Sequence, residues 1–392
     1  MIELTKYINN QLNPFKLNEE QKEKLLNLDR EYYDLVLMFR SNFYVSNLSN
    51  LDEEYKKFIT SRKRGLKYYP SLKYSSYNPD KDKNILDRLE QLLSEFNKFD
   101  CFLSKYYITQ IKDIIYQVKF NYDKEYKYPW YSEYRKQTPS LDVLDTAYKM
   151  LEENPYENVD DAKDRNISGK EAAKIIQDYI DELGYGWKVI LEPDMIPRMR
   201  VKVDGTMNVN PNAKFSKADI EGLKAHEIRG HVGRRYYGLQ TGLYLFCVGL
   251  KWEVVFDEGL AVWNSLNEVK HIKPNIKFNI ALKSIITYYL DKMDFCELFD
   301  MCKKLVPDYP DEHLFKNIIR YKRELQDCSN LGGNGDDQSY LTGYLMVNKM
   351  TDEERDDVLK WNIGPDQWCD LPKIKEFFEV NKFKPLKTPK LK

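Results

Sequence analysis

The chain has 392 residues, of which 42% are hydrophobic and 31% charged, and its formal net charge is -1. This length allows one large or two ordinary domains, and the near-neutral charge excludes the strong field expected of a nucleic-acid-binding or membrane-surface protein. No apolar run is long enough to span a bilayer, no signal peptide is recognisable, and six cysteines form no Cys-x-x-Cys pair, which predicts a reducing, cytoplasmic setting.

Residues 1–164 are predicted to form a helical N-terminal region. Asn18 is a suitable cap for a helix in which apolar residues recur at helical spacing. A polar segment with two prolines, residues 61–82, predicts an exposed loop. The charged, proline-bearing segment 154–166 predicts the boundary of the region that follows.

Residues 165–380 are predicted to combine helices with a small sheet. Ser168 and Glu171 form a capping-box pattern that opens a helix. Three strand-like runs follow, at Trp187–Leu191, Met199–Val203 and Met207–Asn210. Asp204-Gly205 between the last two runs predicts a two-residue hairpin. The expected fold is therefore α+β, mainly helical with a small antiparallel sheet, and ends in a loose basic tail at residues 381–392.

Two of the four histidines stand five positions apart in the segment His226-Glu227-Ile228-Arg229-Gly230-His231. A histidine pair beside a glutamate is typical of a zinc hydrolase in which the glutamate acts as general base. Residues five apart are about 140° apart on a regular α-helix. The spacing therefore predicts either a π-bulge or a helix end at this point, and Gly230 makes either distortion inexpensive.

A catalytic zinc site needs a third protein ligand and one open position. Glu258 is our choice, because it lies on a largely apolar predicted helix where an unpaired carboxylate would be costly. It is followed by Gly259 and Ala261, whose small side chains would let this helix approach the metal helix. The alternative third ligands are Asp257 and His271.

Two segments, His226–Gln240 and Asp257–Ala261, resemble the microtubule-associated tyrosine carboxypeptidases and their bacterial "QEGLA motif" relatives. A weaker third match runs from Arg320 to Gly343. The resemblance extends from about residue 168 to residue 344. Asp257 stands where the bacterial proteins have Gln, and Asp336 stands where Lys is common. Both differences add negative charge near a site that is expected to receive a C-terminal carboxylate.

The resemblance implies a zincin-like catalytic domain with one Zn²⁺ per chain and a His-Glu-x-x-x-His helix. The implied activity is removal of a C-terminal residue, tyrosine or similar, from a protein or peptide. The metal ligands would be His226, His231 and Glu258. Glu227 would be the general base and Tyr340 a donor to the oxyanion. An arginine is suited to clamp the terminal carboxylate, and the candidates are Arg320, Arg323 and Arg234.

Two other functions are compatible with the same residues. One is a zinc endopeptidase or aminopeptidase on the same scaffold. The other is a non-catalytic zinc-containing module in which the N-terminal region and the lysine-rich tail bind an acidic polymer. The expected partner of the carboxypeptidase is a protein or peptide C-terminus, with an acidic tail as one candidate, and no nucleic acid or membrane. The sequence does not predict the oligomeric state.

Overall fold

The computed structural model describes residues 15–42, 48–73, 79–122, 138–158, 164–193, 195, 197–270, 274–322, 325 and 327–389. These residues are mainly helical. The α-helices are α1 (Glu19–Asn42), α2 (Leu51–Lys63), α3 (Pro79–Lys98), α4 (Ser104–Tyr122), α5 (Leu141–Glu153), α6 (Gly169–Glu182), α7 (Lys217–Leu223), α8 (Gly233–Gln240), α9 (Tyr244–Val248), α10 (Glu253–Asn267), α11 (Ile276–Tyr289), α12 (Phe295–Leu305), α13 (Asp311–Lys322), α14 (Ser339–Val347), α15 (Asp352–Lys360) and α16 (Leu371–Asn381). A π-helix (Lys224–Val232) joins α7 to α8, and 3₁₀ turns lie at Asp336–Gln338 and Pro365–Asp370.

Five short strands form two small sheets. The strands are β1 (Ile167–Ser168), β2 (Lys188–Leu191), β3 (Met199–Val201), β4 (Thr206–Val209) and β5 (Lys214–Phe215). β1 pairs with β5, and the other sheet has the order β2-β4-β3. The predicted hairpin is confirmed, since β3 and β4 are antiparallel, but its turn has three residues and not two. The Lys202 N–H donates to the Thr206 carbonyl, which leaves Val203, Asp204 and Gly205 in the turn, where Gly205 has a φ of 85°.

The prediction of a wholly antiparallel sheet is wrong, because β2 and β4 are parallel. The segment between β2 and β3 carries the chain to the far edge of the sheet. The hairpin then returns β4 to the centre, in the same direction as β2. Strand pairing over such a distance depends on packing and not on the local pattern that predicts each strand.

Side-chain caps begin several helices, as the sequence predicts. The Ser168 hydroxyl accepts a hydrogen bond from the Glu171 N–H, and the Glu171 carboxylate accepts one from the Ser168 N–H. Asn18 makes the same reciprocal pair with Gln21 at the start of α1. Such caps satisfy N–H groups that have no partner inside the helix.

The predicted N-terminal region shares a core with the C-terminal helices. One cluster of buried side chains contains Leu25, Phe96 and Ile111 together with Phe246 and Phe377. Residues on both sides of the predicted boundary near residue 164 therefore exclude water from the same interior. In this respect the structure differs from the sequence prediction of two separate regions.

The segment predicted as an exposed loop, residues 61–82, is only partly a loop. Helix α2 continues to Lys63, and α3 begins at Pro79. In the segment between them, the Tyr68 hydroxyl and the Ser71 N–H donate hydrogen bonds to the carboxylate of Glu54, which lies on α2. These bonds attach the segment to α2.

The described part of the predicted loose tail, residues 382–389, lies against the body of the protein. The Leu386 N–H donates to the Leu239 carbonyl at 2.9 Å, and the Thr388 hydroxyl donates to the Tyr185 carbonyl at 2.9 Å. The Phe383 side chain packs against the core cluster that includes Phe377. This segment is therefore held in place, in contrast to the prediction. Among the described residues, no helix has both the length and the apolar character needed to cross a bilayer.

Helices α10 and α14 cross at close range through two glycines. A Cβ on Gly343 would overlap the Val255 carbonyl oxygen, and a Cβ on Gly259 would overlap the Gly343 backbone. From the sequence, Gly259 was expected to face the helix that carries the two histidines. In the structure it faces α14 instead. Ala261 is the residue that approaches the π-helix, because a Cβ on Gly230 would lie 2.9 Å from the Ala261 Cβ.

Candidate metal centre

The two motif histidines lie on the π-helix that follows α7. Ser216 and Asp219 cap α7 by a reciprocal pair of hydrogen bonds, so the helix begins close to the motif. The segment Lys224–Val232 then widens to π geometry. In a π-helix the backbone bonds join residues five apart, which brings His226 and His231 to the same side. The spacing predicted either π geometry or a helix end, and the chain adopts π geometry.

Three side chains bring one potential ligand atom each to a common point. The ligand atoms of His226, His231 and Glu258 all lie within 4.8 Å of one another. Glu258 Oε2 is 3.4 Å from His226 Nε2 and 3.8 Å from His231 Nε2. Ligands of one tetrahedral zinc ion at ordinary bond lengths are about 3.3 Å apart. The two distances from Glu258 are close to that value, and the two histidine nitrogens lie within 4.8 Å of each other.

Glu258 Oε2 is buried and has no hydrogen-bond partner among the described residues. An orphaned buried carboxylate oxygen is rare, because the free energy of its desolvation is not recovered. A cation between this oxygen and the two imidazole nitrogens would satisfy it. The three residues therefore fit a zinc ion, which prefers histidine nitrogen and carboxylate oxygen.

Both imidazole rings are oriented through their other nitrogen. Asp257 Oδ2 lies 2.8 Å from His231 Nδ1, and Ser265 Oγ lies 3.4 Å from His226 Nδ1. Each contact turns the Nε2 atom toward Glu258. Asp257, the alternative third ligand, therefore contacts the outer side of a ligand ring and is not one of the three converging side chains.

The charges of this cluster alter its acid–base properties. Burial by itself lowers the pKa of His231, but the carboxylates of Asp257 and Glu258 outweigh burial and raise this pKa to about 10. Burial by itself raises the pKa of Glu258, and the two histidines more than offset that effect, so the pKa is lowered. The cluster without a metal therefore favours a proton on His231, and a bound cation would replace that proton.

A second polar group lies beside the histidines and centres on the buried Asp337. The Arg320 guanidinium forms two bonds of 2.8 Å with its carboxylate. Lys283 Nζ is 3.7 Å from Asp337 Oδ2 and 3.6 Å from the centre of the Tyr340 ring. The Tyr340 ring is nearly parallel to that of His226, with 6.4 Å between centroids. Two cations against one carboxylate give this group a net positive charge.

Burial modifies the titration of the same residues. It raises the pKa of Tyr340 well above its usual value, and the nearby Glu258 and Asp337 carboxylates act in the same direction. The Tyr340 hydroxyl is therefore a neutral donor. Burial also lowers the pKa of Lys283, although Asp337 partly offsets this effect.

Lys283 was not predicted from the sequence as a site residue. It belongs to none of the matched motifs. The available signal was that it is the single charged residue between Phe278 and Tyr289 on an otherwise apolar helix. A lysine in such a position requires a partner or a function.

Arg234 differs from its predicted role. Its side chain is fully buried, and it donates to the carbonyls of Val358, Glu253 and Ile363 at 3.0, 3.1 and 3.0 Å. A guanidinium with these partners has no access to a substrate carboxylate, so Arg234 is a structural residue. Two other predicted residues, Arg323 and His271, lie outside the described residues.

Comparison with known proteins agrees with the motifs. The family described as microtubule-associated tyrosine carboxypeptidase matches residues 57–383, which include the three converging side chains and the group around Asp337. No curated protein matches the chain. Because the match covers most of its length, the chain belongs to the microtubule-associated tyrosine carboxypeptidase family.

Proposed function

We propose that the protein is a zinc-dependent carboxypeptidase that removes a C-terminal residue, tyrosine or similar, from a protein or peptide. The observation that carries this proposal is the convergence of His226, His231 and Glu258, with a buried oxygen of Glu258 that has no other partner. Family membership supports the carboxypeptidase class. The succession of helix, small sheet and metal helix supports a zincin-like catalytic domain.

The proposed mechanism assigns zinc to His226, His231 and Glu258, and when bound it would supply a Lewis acid that activates water and polarises the scissile carbonyl. Glu227 follows the first ligand directly and takes the proton of the attacking water as the water oxygen bonds to the carbonyl carbon. Glu227 then passes that proton to the departing amine nitrogen as the carbon–nitrogen bond breaks. The neutral Tyr340 hydroxyl donates to the oxyanion.

Recognition of the terminal carboxylate is assigned to Arg320 and Lys283. Asp337 contacts the Nε and Nη2 atoms of Arg320, so it holds the guanidinium by one edge and leaves the opposite nitrogen, Nη1, out of this pair. Lys283 adds a second cation on the side of Tyr340. A carboxylate would balance the net positive charge of the group, which favours a C-terminus over an internal peptide segment.

The peptide is proposed to lie in extended form along β3. This strand is at the edge of its sheet. The Lys202 N–H donates to the Thr206 carbonyl in β4, and the Arg198 carbonyl accepts from the N–H of Asn210 just after β4. In the antiparallel alternation, Met199 and Val201 therefore direct their backbone groups to the outer edge. A cavity of about 420 Å³ adjoins this strand at Arg200. Its lining carries three cationic and three acidic side chains, namely Arg40, Arg200, Lys251, Asp113, Glu253 and Asp336.

The cellular setting and natural substrate are also proposals. All six cysteines are free thiols, which agrees with a cytoplasmic setting. The family name describes tyrosine carboxypeptidases associated with microtubules, which favours a protein substrate that ends in tyrosine. An acidic tail is one candidate.

The experiment that tests the proposal begins with the zinc content of the purified protein and of its His226→Ala variant. We expect about one zinc per chain, lost in the variant. Peptides ending in a free tyrosine are then compared with the same peptides ending in an amide. Cleavage of the free form alone is expected, since only that form carries the carboxylate that Arg320 and Lys283 bind.

Other outcomes identify the competing functions. Equal cleavage of the amidated peptide would indicate an endopeptidase or aminopeptidase. Zinc without any cleavage would indicate a non-catalytic binding module. The absence of zinc, even after reconstitution, would contradict the hydrolase proposal.

A further inference from the structure

Asp257 lies between a histidine of the candidate metal centre and a buried arginine. Its Oδ2 atom is 2.8 Å from His231 Nδ1, and its Oδ1 atom is 3.5 Å from Arg234 Nη1. The Asp257 side chain is 9% exposed and that of Arg234 is 0% exposed. Both sides of this carboxylate therefore face nitrogen atoms in a setting with little water.

Arg234 has little freedom to move away from Asp257. Its Nε, Nη1 and Nη2 atoms each donate to a backbone carbonyl, those of Val358, Glu253 and Ile363. A guanidinium has donors and no acceptor. The Oδ1 atom of Asp257 therefore faces a hydrogen-bond donor that is held in place.

We propose that Arg234 and Asp257 together select the form of His231 that carries its hydrogen on Nδ1. In that form the lone pair of Nε2 is directed toward Glu258 and is available to a metal. Asp257 is then a positioning residue, since it acts through His231. This inference rests on the proposed zinc site.

The other ligand histidine has a weaker constraint. The nearest partner of His226 Nδ1 is the Ser265 hydroxyl at 3.4 Å, which donates its own hydrogen to the Ala261 carbonyl. A neutral hydroxyl at this distance contributes less than a carboxylate at 2.8 Å. Ser265 therefore provides a matched control for Asp257.

In Asp257→Asn, the amide is expected to place the His231 hydrogen on the wrong nitrogen. An amide presents one oxygen and one NH₂ group, and Arg234, as a donor, attracts the oxygen. The NH₂ group then faces His231 Nδ1, which must accept, so the ring hydrogen moves to Nε2 and blocks the metal. The nearly isosteric asparagine is therefore expected to harm zinc binding at least as much as alanine does.

The test measures zinc dissociation constants of the full-length protein by competition with a chelator. We expect both Asp257→Asn and Asp257→Ala to bind zinc about 10- to 100-fold more weakly than the wild type. Ser265→Ala should lose less than either. Nitrogen NMR of labelled histidine should place the His231 hydrogen on Nδ1 in the zinc-loaded wild type. In zinc-free Asp257→Asn, at a pH high enough that the ring is neutral, the hydrogen should be on Nε2.

The outcomes separate this inference from the proposed function. Wild-type zinc affinity in Asp257→Asn, or a hydrogen on Nδ1 in that variant, would overturn the inference alone. A wild-type protein that binds no zinc would overturn the inference and the proposed function together. If neither variant folds, the wild-type spectrum decides, because a zinc-loaded His231 without a hydrogen on Nδ1 contradicts the role of Asp257.

Discussion

The candidate metal centre and the N-terminal helical region are built in opposite ways. At the metal centre, the side chains that converge or orient one another lie between residues 226 and 265, on two elements close in sequence. In the N-terminal region the decisive contacts join residues far apart in sequence. The Tyr33 hydroxyl donates to the Val203 carbonyl, and the Leu17 N–H donates to the Asn381 side chain.

Asp29 is an example of a buried residue in the N-terminal region whose partners lie far away in the sequence. Its buried carboxylate accepts hydrogen bonds from the N–H groups of Tyr244 and Leu245 at the start of α9 and from the Tyr107 hydroxyl. A residue of α1 thus caps a helix more than 200 positions later. The family match begins at residue 57, yet residues before that point complete the interior of the matched part. The part of the chain that matches the family is therefore shorter than the part that folds as one unit.

The largest expected effect is a loss of turnover at the candidate metal centre when Glu227 is changed. Glu227→Gln removes the proposed general base and leaves the packing intact, so turnover should fall by about 100- to 10,000-fold. Zinc content and the midpoint of thermal unfolding should equal those of the wild type. Steady-state kinetics with a peptide ending in tyrosine provides the measurement. Retention of full activity would exclude Glu227 as the base.

The next effect tests the N-terminal region. Asp29→Ala leaves two backbone N–H groups and one hydroxyl without their buried acceptor, which should lower the free energy of unfolding by about 2–4 kcal/mol. Urea unfolding measures this change, and Asp34→Ala on the exposed side of α1 is a matched control expected to have little effect. A loss of activity without a loss of stability would contradict the assignment of Asp29 to folding.

A glycine exchange in the proposed catalytic region is expected to change both the stability of the fold and the affinity for zinc. Gly343→Ala forces α14 away from α10, the helix that carries Glu258, and should cost about 1–3 kcal/mol of stability. It should also weaken zinc binding, because Glu258 would move relative to the histidines. Gly222→Ala is the control, since a Cβ there meets no atom within 4 Å. Equal stability of the two variants would show that the helix crossing tolerates a wider spacing.

The last effect is a pH dependence of the N-terminal region, which is small over any single pH unit. Burial raises the pKa of Asp29 from 3.8 to about 6, although hydrogen bonds from Tyr107 and the α9 backbone oppose it. The unfolded chain therefore ionises first. The pH-dependent part of the contribution of Asp29 to stability is complete below pH 3.8 and is lost as pH rises through 6, while the hydrogen bonds that its carboxylate accepts persist above that pH. The slope should be at most about 1.4 kcal/mol per pH unit.

This slope is measured as a difference between the wild type and Asp29→Asn in urea unfolding from pH 4 to pH 7. The subtraction removes the titration of the other carboxylates. The advantage of the wild type over the variant should shrink as pH rises and then level off above pH 6. A constant difference across this range would mean that Asp29 titrates alike in the folded and unfolded chains.

The sequence by itself determined the features that depend on neighbouring residues. The spacing of His226 and His231 required a π-helix or a helix end, Asn18 and Ser168 predicted caps, and Asp204-Gly205 predicted the hairpin. Glu258 was identified because a carboxylate on an apolar helix needs a partner. Each of these follows from local backbone geometry or from the free energy of burying one charged group.

Only the tertiary structure decided the rest. The parallel pairing of β2 with β4, the burial of Arg234, the position of Lys283 beside Tyr340 and the cap that Asp29 provides all involve residues far apart in the chain. Contacts of this kind arise when the whole interior closes, and their energies depend on packing and desolvation. No periodicity or short motif records them, so they follow from the folded arrangement alone.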